Sequence, residues 1–192
     1  MPINSLNDII KAYNGRYPTS LHWNSITAVS TFPYSLWTCT GMPGAGSVPA
    51  SGAGAALSSA TAGAIPLPTL SSGESLYLFN IALNPISGSG FMLYDKLVAT
   101  SGLSGTVTTA QTVNSTSLPR YTDGVGVELW LEWYTATGST IVTAIISYTN
   151  QAGTSGRTAT AAIAASTPAN RMFRVTLEEG DTGVRSVQNV NI

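Results

Sequence analysis

The chain has 192 residues, of which 9% are charged, and a formal net charge of −1 at pH 7. An ordinary globular protein carries about 25% charged residues, so we expect a neutral surface rich in hydroxyl groups. This sparse and balanced charge argues against nucleic acid as a partner and against a strongly cationic partner. Because a neutral free monomer tends to associate, the composition favours a protein that works inside an assembly.

We expect no metal site, no disulfide bond and no membrane-spanning segment. Cys39 is the only cysteine and His22 the only histidine, which leaves neither a disulfide framework nor a zinc site of the usual kind. Asn4, Asp8 and Lys11 make the N-terminus too polar for a signal peptide. No run of eighteen apolar residues occurs, so we expect no transmembrane helix, no membrane partner and synthesis in a cytoplasm. No cofactor is predicted.

Residues 5–13 (SLNDIIKAY) are predicted to form a short helix. Ser5 and Asp8 have the spacing of a capping box, and Asn14-Gly15 is a typical end. A helix this short is marginal by itself, so its apolar stripe is expected to contact its own domain or a neighbouring subunit. The stripe comprises Leu6, Ile9, Ile10 and Tyr13.

The rest of the N-terminal region, residues 17–64, changes abruptly in composition. Residues 17–40 are rich in aromatic and β-branched residues, including Trp23 and Trp37, and prolines divide them into two short edge-type strands. Residues 41–64 contain no charged and no aromatic residue. They are either a disordered spacer or an extended arm that lies across another subunit. We therefore predict a helix and arm over residues 1–64 and a body over residues 65–192.

The body is predicted to consist of β-strands. Two hairpins are expected, one from residues 75–83 and 91–99 and one from residues 172–177 and 184–190, with a weak strand within 106–113. Some eight strands without intervening helices indicate an all-β fold, specifically a jelly-roll-like two-sheet antiparallel sandwich. The short N-terminal helix and the extended arm precede it.

Residues 125–164 are predicted to form three consecutive antiparallel strands, with turns at 136–139 and 150–156. In the first strand Val127, Leu129, Leu131 and Trp133 share the core face. Pairing Thr135 with Thr140 would place Trp133 opposite Val142, Leu131 opposite Ala144, Leu129 opposite Ile146, Trp130 opposite Ile145 and Glu132 opposite Thr143. The outer face is too apolar for free solvation, so Trp130, Tyr134 and Ile145 are predicted interface residues, and Trp133 and Tyr148 core residues.

The sequence offers no catalytic constellation, and we predict a protein that is not an enzyme. Asp181-Thr182-Gly183 matches the aspartic-protease triplet, but that chemistry needs two copies, and here the triplet lies in a turn-forming sequence. Glu128 and Glu132 lie roughly 13 Å apart along a strand, beyond the separation of paired glycosidase carboxylates. Both are therefore expected to be polar positions that are solvated or lie at an interface.

The remaining polar candidates have structural interpretations. Asp95 and Lys96 are expected to form an ion pair at a strand edge or between subunits. His22 is expected to be structural, and Cys39 a small buried hydrophobic residue.

Five stretches share one further feature. They are FMLYDKLVATSGLSGTVTTAQTVN (91–114), residues 125–163, GDTGVRSVQNV (180–190), the leader SLNDIIKAYNGRY and the stretch SLWTCTGMPGAG. These stretches resemble virion proteins of tailed bacteriophages. The resemblance implies a decoration or cement protein on the capsid exterior of a virion assembled in the host cytoplasm, with the major capsid protein and further copies of itself as partners, trimers being favoured. It supplies no catalytic residues.

Two alternatives from other classes remain open. One is a component of a tail or head fibre, and the other is a module that binds a host glycan or receptor, with Trp130 and Tyr134 as its aromatic platform. Ile192 follows the last predicted strand closely, so we expect no appended fibre module.

Overall fold

A computed structural model describes residues 5–15, 21–23, 32–50, 54–73, 75–77, 90–113 and 116–192. One helix and ten strands occur in these ranges, and every strand pairing is antiparallel. The elements are α1 (Leu6–Gly15), β1 (His22–Trp23), β2 (Gly41–Met42), β3 (Ala55–Ala56), β4 (Val98–Ala99), β5 (Gln111–Thr112), β6 (Trp130–Trp133), β7 (Val142–Asn150), β8 (Arg157–Ile163), β9 (Arg171–Arg174) and β10 (Val184–Asn191). The predicted all-β class is confirmed.

The main sheet has four strands in the order β5-β10-β7-β8. Its hairpin β7–β8 pairs from Val142 opposite Ile163 to Tyr148 opposite Arg157. In the connecting turn the Asn150 side-chain oxygen accepts main-chain hydrogen bonds from Ala152 at 3.1 Å and from Thr154 at 2.9 Å. An asparagine that bonds the following main chain in this way is a common turn former. The predicted hairpin with its turn at 150–156 is therefore confirmed.

The hydrophobic core follows the period-two alternation of β7. Ala144, Ile146 and Tyr148 are completely buried, whereas Ile145 between them is 46% exposed, because successive strand side chains point to opposite faces. The core cluster consists of Ala144, Ile146, Tyr148, Ala159, Ala161, Ile163, Phe173, Val175, Val184 and Val190. The predicted core positions Tyr148 and Trp133 are thus found at the core, the first within it and the second packed against it.

Strand β6 has the predicted core face but a different partner. Leu129, Leu131 and Trp133 pack against the core, yet β6 pairs with β9 in a separate two-stranded sheet, with Trp130 opposite Arg174. The expected pairing with β7 is wrong. The pairs that do not form are Trp133 with Val142, Leu131 with Ala144, Leu129 with Ile146, Trp130 with Ile145 and Glu132 with Thr143.

The connection between β6 and β7 explains this difference. Instead of a tight turn at 136–139, the main-chain N–H of Thr137 donates to the carbonyl of Thr167 at 2.9 Å, and that of Ser166 donates to Gly138 at 2.7 Å. These hydrogen bonds hold the connection against the loop between β8 and β9. The chain therefore turns away from β6 before β7 begins.

The two other predicted hairpins also differ. β9 and β10 lie close to the predicted strands, but β9 pairs with β6 and β10 lies between β5 and β7, so they form no hairpin with each other. Within 91–99 only β4 is a strand, and it pairs with β3. Residues 75–77 contain no strand, and residues 78–83 lie outside the described residues. The weak strand within 106–113 is reduced to β5.

The N-terminal helix is confirmed, although it extends to Gly15. Ser5 Oγ accepts a hydrogen bond from the Asp8 N–H at 3.3 Å and donates one to the Asp8 carboxylate at 2.9 Å, which is the predicted N-terminal cap. Of its apolar stripe, Leu6 is 70% exposed and Ile10 is 47% exposed.

Residues 17–40 are only partly described. Their elements are the two-residue β1, which pairs with β2, and an isolated bridge between Tyr34 and Arg171 of β9. The remainder of the two predicted edge strands, at 17–20 and 24–31, lies outside the described residues.

The described part of residues 41–64 contacts its own chain. The Gly46 N–H donates to the Trp37 carbonyl at 2.7 Å, and the Trp37 indole donates to Ser47 O at 3.0 Å. Further along, β3 pairs with β4, and the Leu57 N–H donates to Leu97 O at 2.9 Å. Residues on both sides of position 64 thus bond to each other, and the division at that position stays a prediction.

Candidate functional site

A cleft lies between β8 and β9 on the described surface. β8 meets the chain just after β9 at Thr160 and Thr176, whose main chains exchange hydrogen bonds of 2.9 and 2.7 Å. On the other side of the cleft Met172 of β9 donates instead to Pro33 O at 3.0 Å, so the strands diverge. The space between them is about 470 Å³. Its lining residues are Phe32, Pro33, Trp130, Thr143, Thr160, Ala161, Ala162, Met172, Phe173, Arg174 and Thr176.

Main-chain groups of both strands face this cleft. Because Thr160 directs its N–H and C=O away from β7, the alternation of a strand directs those of Ala162 the same way. By the same argument Arg174, which lies between Met172 and Thr176, directs its main chain away from β6. No hydrogen bond joins these main-chain groups to any described residue. The cleft is therefore flanked by two short, unpaired strand edges.

The rim of the cleft carries an aromatic ring and one ion pair. The half-buried Trp130 indole donates to one oxygen of Glu128 at 3.0 Å, and Arg174 Nη2 lies 2.5 Å from the other oxygen. Both charged side chains are well exposed, so this ion pair adds little to stability. It does make the rim electrically neutral, because the two charges compensate each other.

A second cluster covers the outer face of β6 next to this rim. Lys96 Nζ lies 3.4 Å from Glu132 Oε2 and 4.4 Å from the ring centre of Trp37. The Tyr134 hydroxyl also donates to Glu132, at 3.2 Å. Burial lowers the pKa of Lys96, with the nearby Glu132 opposing that effect. Burial, followed by the charge of Glu132, raises the pKa of Tyr134.

This cluster corrects two predictions. Lys96 does not pair with Asp95, since Lys96 bonds Glu132, while Asp95 accepts two hydrogen bonds from Arg120, at 2.6 and 2.9 Å. Glu132 is not a solvated strand position either, because only 10% of its side chain is exposed. Both ion pairs attach residues 95–96 to other parts of the same chain.

Asp181 lies in a turn, as predicted, and its carboxylate is fully engaged. It accepts hydrogen bonds from the Tyr148 hydroxyl, from Asn150 Nδ2 at 2.7 Å and from Arg157 Nε at 2.9 Å. The hydrogen bond from Tyr148, followed by those from Arg157 and Asn150, lowers the pKa of Asp181. A lowered folded-state pKa means that this carboxylate stabilises the fold above pH of about 4, and that the contribution is lost as the pH falls further.

The predicted interface residues differ in their exposure. Leu6, Ile10 and Ile145 are exposed, Ile9, Trp130 and Tyr134 are half-buried, and Trp37 is buried within its own chain. The side chains of Tyr13 and Trp23 lie outside the described residues. His22 is exposed. Cys39 is half-exposed rather than buried, with its sulfur 3.6 Å from the Tyr34 hydroxyl.

Sequence reasoning missed one exposed apolar segment. Phe91, Met92, Leu93 and Tyr94 are 39%, 45%, 49% and 43% exposed. The sequence predicts a strand here, which would bury alternate residues, whereas the structure leaves these residues without strand pairing. Four consecutive large apolar residues after a glycine-rich stretch were the available signal.

Comparison with protein-family models, with curated proteins and with solved structures found no match. Within the described ranges, no helix has the length and apolar character needed to cross a membrane. The same residues contain no group of three or more histidine, cysteine or acidic side chains arranged to hold a metal ion.

Proposed function

We propose that the chain is a non-enzymatic structural protein of a tailed-bacteriophage virion, a cement or decoration protein that binds the outer capsid surface and bridges capsomers. The observation that carries the proposal is the exposure of large apolar side chains on a surface with few charges. Contiguous exposed apolar patches mark interaction sites, and residues 91–94 form such a patch. The sequence resemblance of residues 91–114, 125–163 and 180–190 supports the same class.

The proposed body is a jelly-roll-like sandwich. The support for it is that inward-facing residues of β6 and β9 and of β7, β8 and β10 contribute to one core. Such a body presents outer sheet faces to its neighbours. On the main sheet that face is rich in hydroxyl groups, as at Thr143, Thr158 and Thr160, with the exposed Ile145 among them.

The proposed mechanism is mechanical. Each copy would bury a modest apolar area against the major capsid protein and against other copies, with trimers at three-fold positions as the expected arrangement. Repetition over a symmetric shell then gives an avidity that no single contact supplies. The buried area would oppose the outward pressure of the packaged DNA. Placement on the capsid exterior rests on the sequence resemblance.

Copy number in purified particles is the first test. Quantitative mass spectrometry should give a ratio to the major shell protein near one or near one-half. A dozen copies or fewer in each particle would exclude a cement role and would favour a component of a vertex, a tail or a fibre.

Shell stability gives the second test. Particles produced without this protein should release DNA at a lower temperature than complete particles, and adding the purified protein back should restore the release temperature. A receptor- or glycan-binding module predicts the opposite pattern, with unchanged release and reduced attachment to host cells.

A further inference from the structure

Two features of the chain complement each other. One is the cleft between β8 and β9, where the main chain of Ala162 and Arg174 is unpaired among the described residues. The other is the exposed apolar segment 91–94, which belongs to no described strand. Unpaired strand edges bind extended chains, and exposed extended apolar segments are suitable occupants of such edges.

The position of the segment on the surface is defined because the residues that follow its C-terminal end are attached to the rest of the chain. Asp95 bonds Arg120 and Lys96 bonds Glu132, so the chain after position 94 is attached to the body. In an extended segment Met92 shares the face of Tyr94, while Phe91 and Leu93 point the opposite way.

The cleft suits an occupant that is apolar, uncharged and extended. Phe32, Phe173 and Met172 make its lining largely apolar. The compensated charges of Glu128 and Arg174 at the rim give no preference for a cation or an anion. A strand laid along the edge at Ala162 would satisfy main-chain groups that have no hydrogen bond to any described residue.

We propose that residues 91–94 of one copy bind in the β8–β9 cleft of a second copy as an added strand. The main chain of the segment pairs with the edge at Ala162, and the side chains of Phe91 and Leu93 contact the apolar lining. If the segment of each copy enters the cleft of the next, repetition produces a ring or a chain of copies, and if two copies exchange segments, they form a symmetric dimer. The proposal goes beyond the capsid role and does not depend on it, since it concerns the purified protein.

The test is self-association of the full chain, measured by sedimentation and native mass spectrometry from about 1 μM to about 1 mM. Phe91→Ser/Leu93→Ser removes the side chains of the segment, and Ala162→Lys places a charged side chain at the strand edge. Each change should raise the dissociation constant of self-association about 10- to 100-fold. Because all three residues are exposed, the variants should fold, and circular dichroism checks this.

Matched controls separate the proposed contact from general surface effects. Leu67→Ser/Tyr77→Ser removes two large exposed side chains elsewhere. Thr158→Lys adds a charge on the same face of β8 but outside the cleft lining. Both controls should associate like the parent protein.

Mixing the two interface variants is the decisive experiment. Phe91→Ser/Leu93→Ser keeps an intact cleft, and Ala162→Lys keeps an intact segment, so an equimolar mixture should form a heterodimer and no larger ring. Neither variant should dimerise by itself at that concentration. A parent protein that stays monomeric throughout, variants that associate like the parent, or a mixture without heterodimer would each overturn the proposal.

Discussion

The strands β7 to β10 and the stretch from residue 32 to 113 are built on different principles. In the first region β7 and β8 alternate between buried and more exposed side chains, and ladders join β8, β7 and β10 in one sheet. In the second region strands are two residues long, and the chain is attached by single side chains such as Trp37, Lys96 and Arg120. A regular sheet supplies its own core, whereas an irregular segment depends on a few anchors.

The largest expected effect on stability follows from the alternate burial of side chains along β7. Ile146→Ala should destabilise the protein by about 2–5 kcal/mol, because it empties a completely buried position. Ile145→Ala, at the neighbouring exposed position, should change the free energy of unfolding by less than about 1 kcal/mol. Urea unfolding measures both. Equal losses would show that the two faces of β7 are not distinguished by burial.

The Lys96–Glu132 pair tests the strongest anchor of the irregular region. Lys96→Met leaves a largely buried carboxylate without its cation and should cost about 2–3 kcal/mol, somewhat less than for a fully buried pair. Adding Glu132→Leu should recover most of that loss. A double-mutant cycle by urea unfolding gives the coupling energy. A cycle with no coupling would mean that the two side chains do not stabilise each other.

Alanine substitutions at two glycines test whether residues 41–64 are a packed segment or a disordered spacer. A Cβ at Gly46 would lie 2.5 Å from the Trp37 ring and 2.8 Å from the carbonyl of Ala62, whereas a Cβ at Gly44 meets nothing within 4 Å. Gly46→Ala should therefore cost about 1–3 kcal/mol through overpacking. Gly44→Ala should be neutral or slightly stabilising. Thermal unfolding of both variants checks the difference, and indistinguishable midpoints would favour a disordered spacer.

The smallest effect is expected at the Arg120–Asp95 pair. Both side chains are more than one-third exposed, so Arg120→Ala should cost less than about 1 kcal/mol. The loss should shrink further in high salt, which screens exposed charges. Urea unfolding at low and high NaCl measures it, with Asp95→Asn as the matched variant. A loss that is large and independent of salt would point to the Arg120 hydrogen bond with Leu57 O instead of the ion pair.

Local patterns predicted local structure well. The alternation of 142–149, the turn at 150–156 and the Ser5 cap each depend on residues close together in sequence, and each is confirmed. The core face of β6 is also correct, because facing depends only on the period of two. The wrong predictions concern partners, since several strands have faces that would match β6 equally well.

The cleft could not be predicted, although Trp130 at its rim was singled out. It exists because the chain just after β9 bonds β8 at Thr176, whereas Met172 of β9 bonds Pro33, and Pro33 is far from both strands in sequence. The run of apolar residues at 91–94 was visible, but its exposure depends on the anchors at positions 95 and 96.

The sequence by itself determined the all-β class, the short capped helix, the hairpin β7–β8 and the inward faces of its strands, because propensity and period two act over a few residues. Only the tertiary structure decided that β6 pairs with β9, that β10 lies between β5 and β7, and that Lys96 bonds Glu132. These pairings join segments that are distant in sequence and could pack against the same core in several ways. The observed arrangement is the one that buries the apolar faces and pairs the strand edges at the same time.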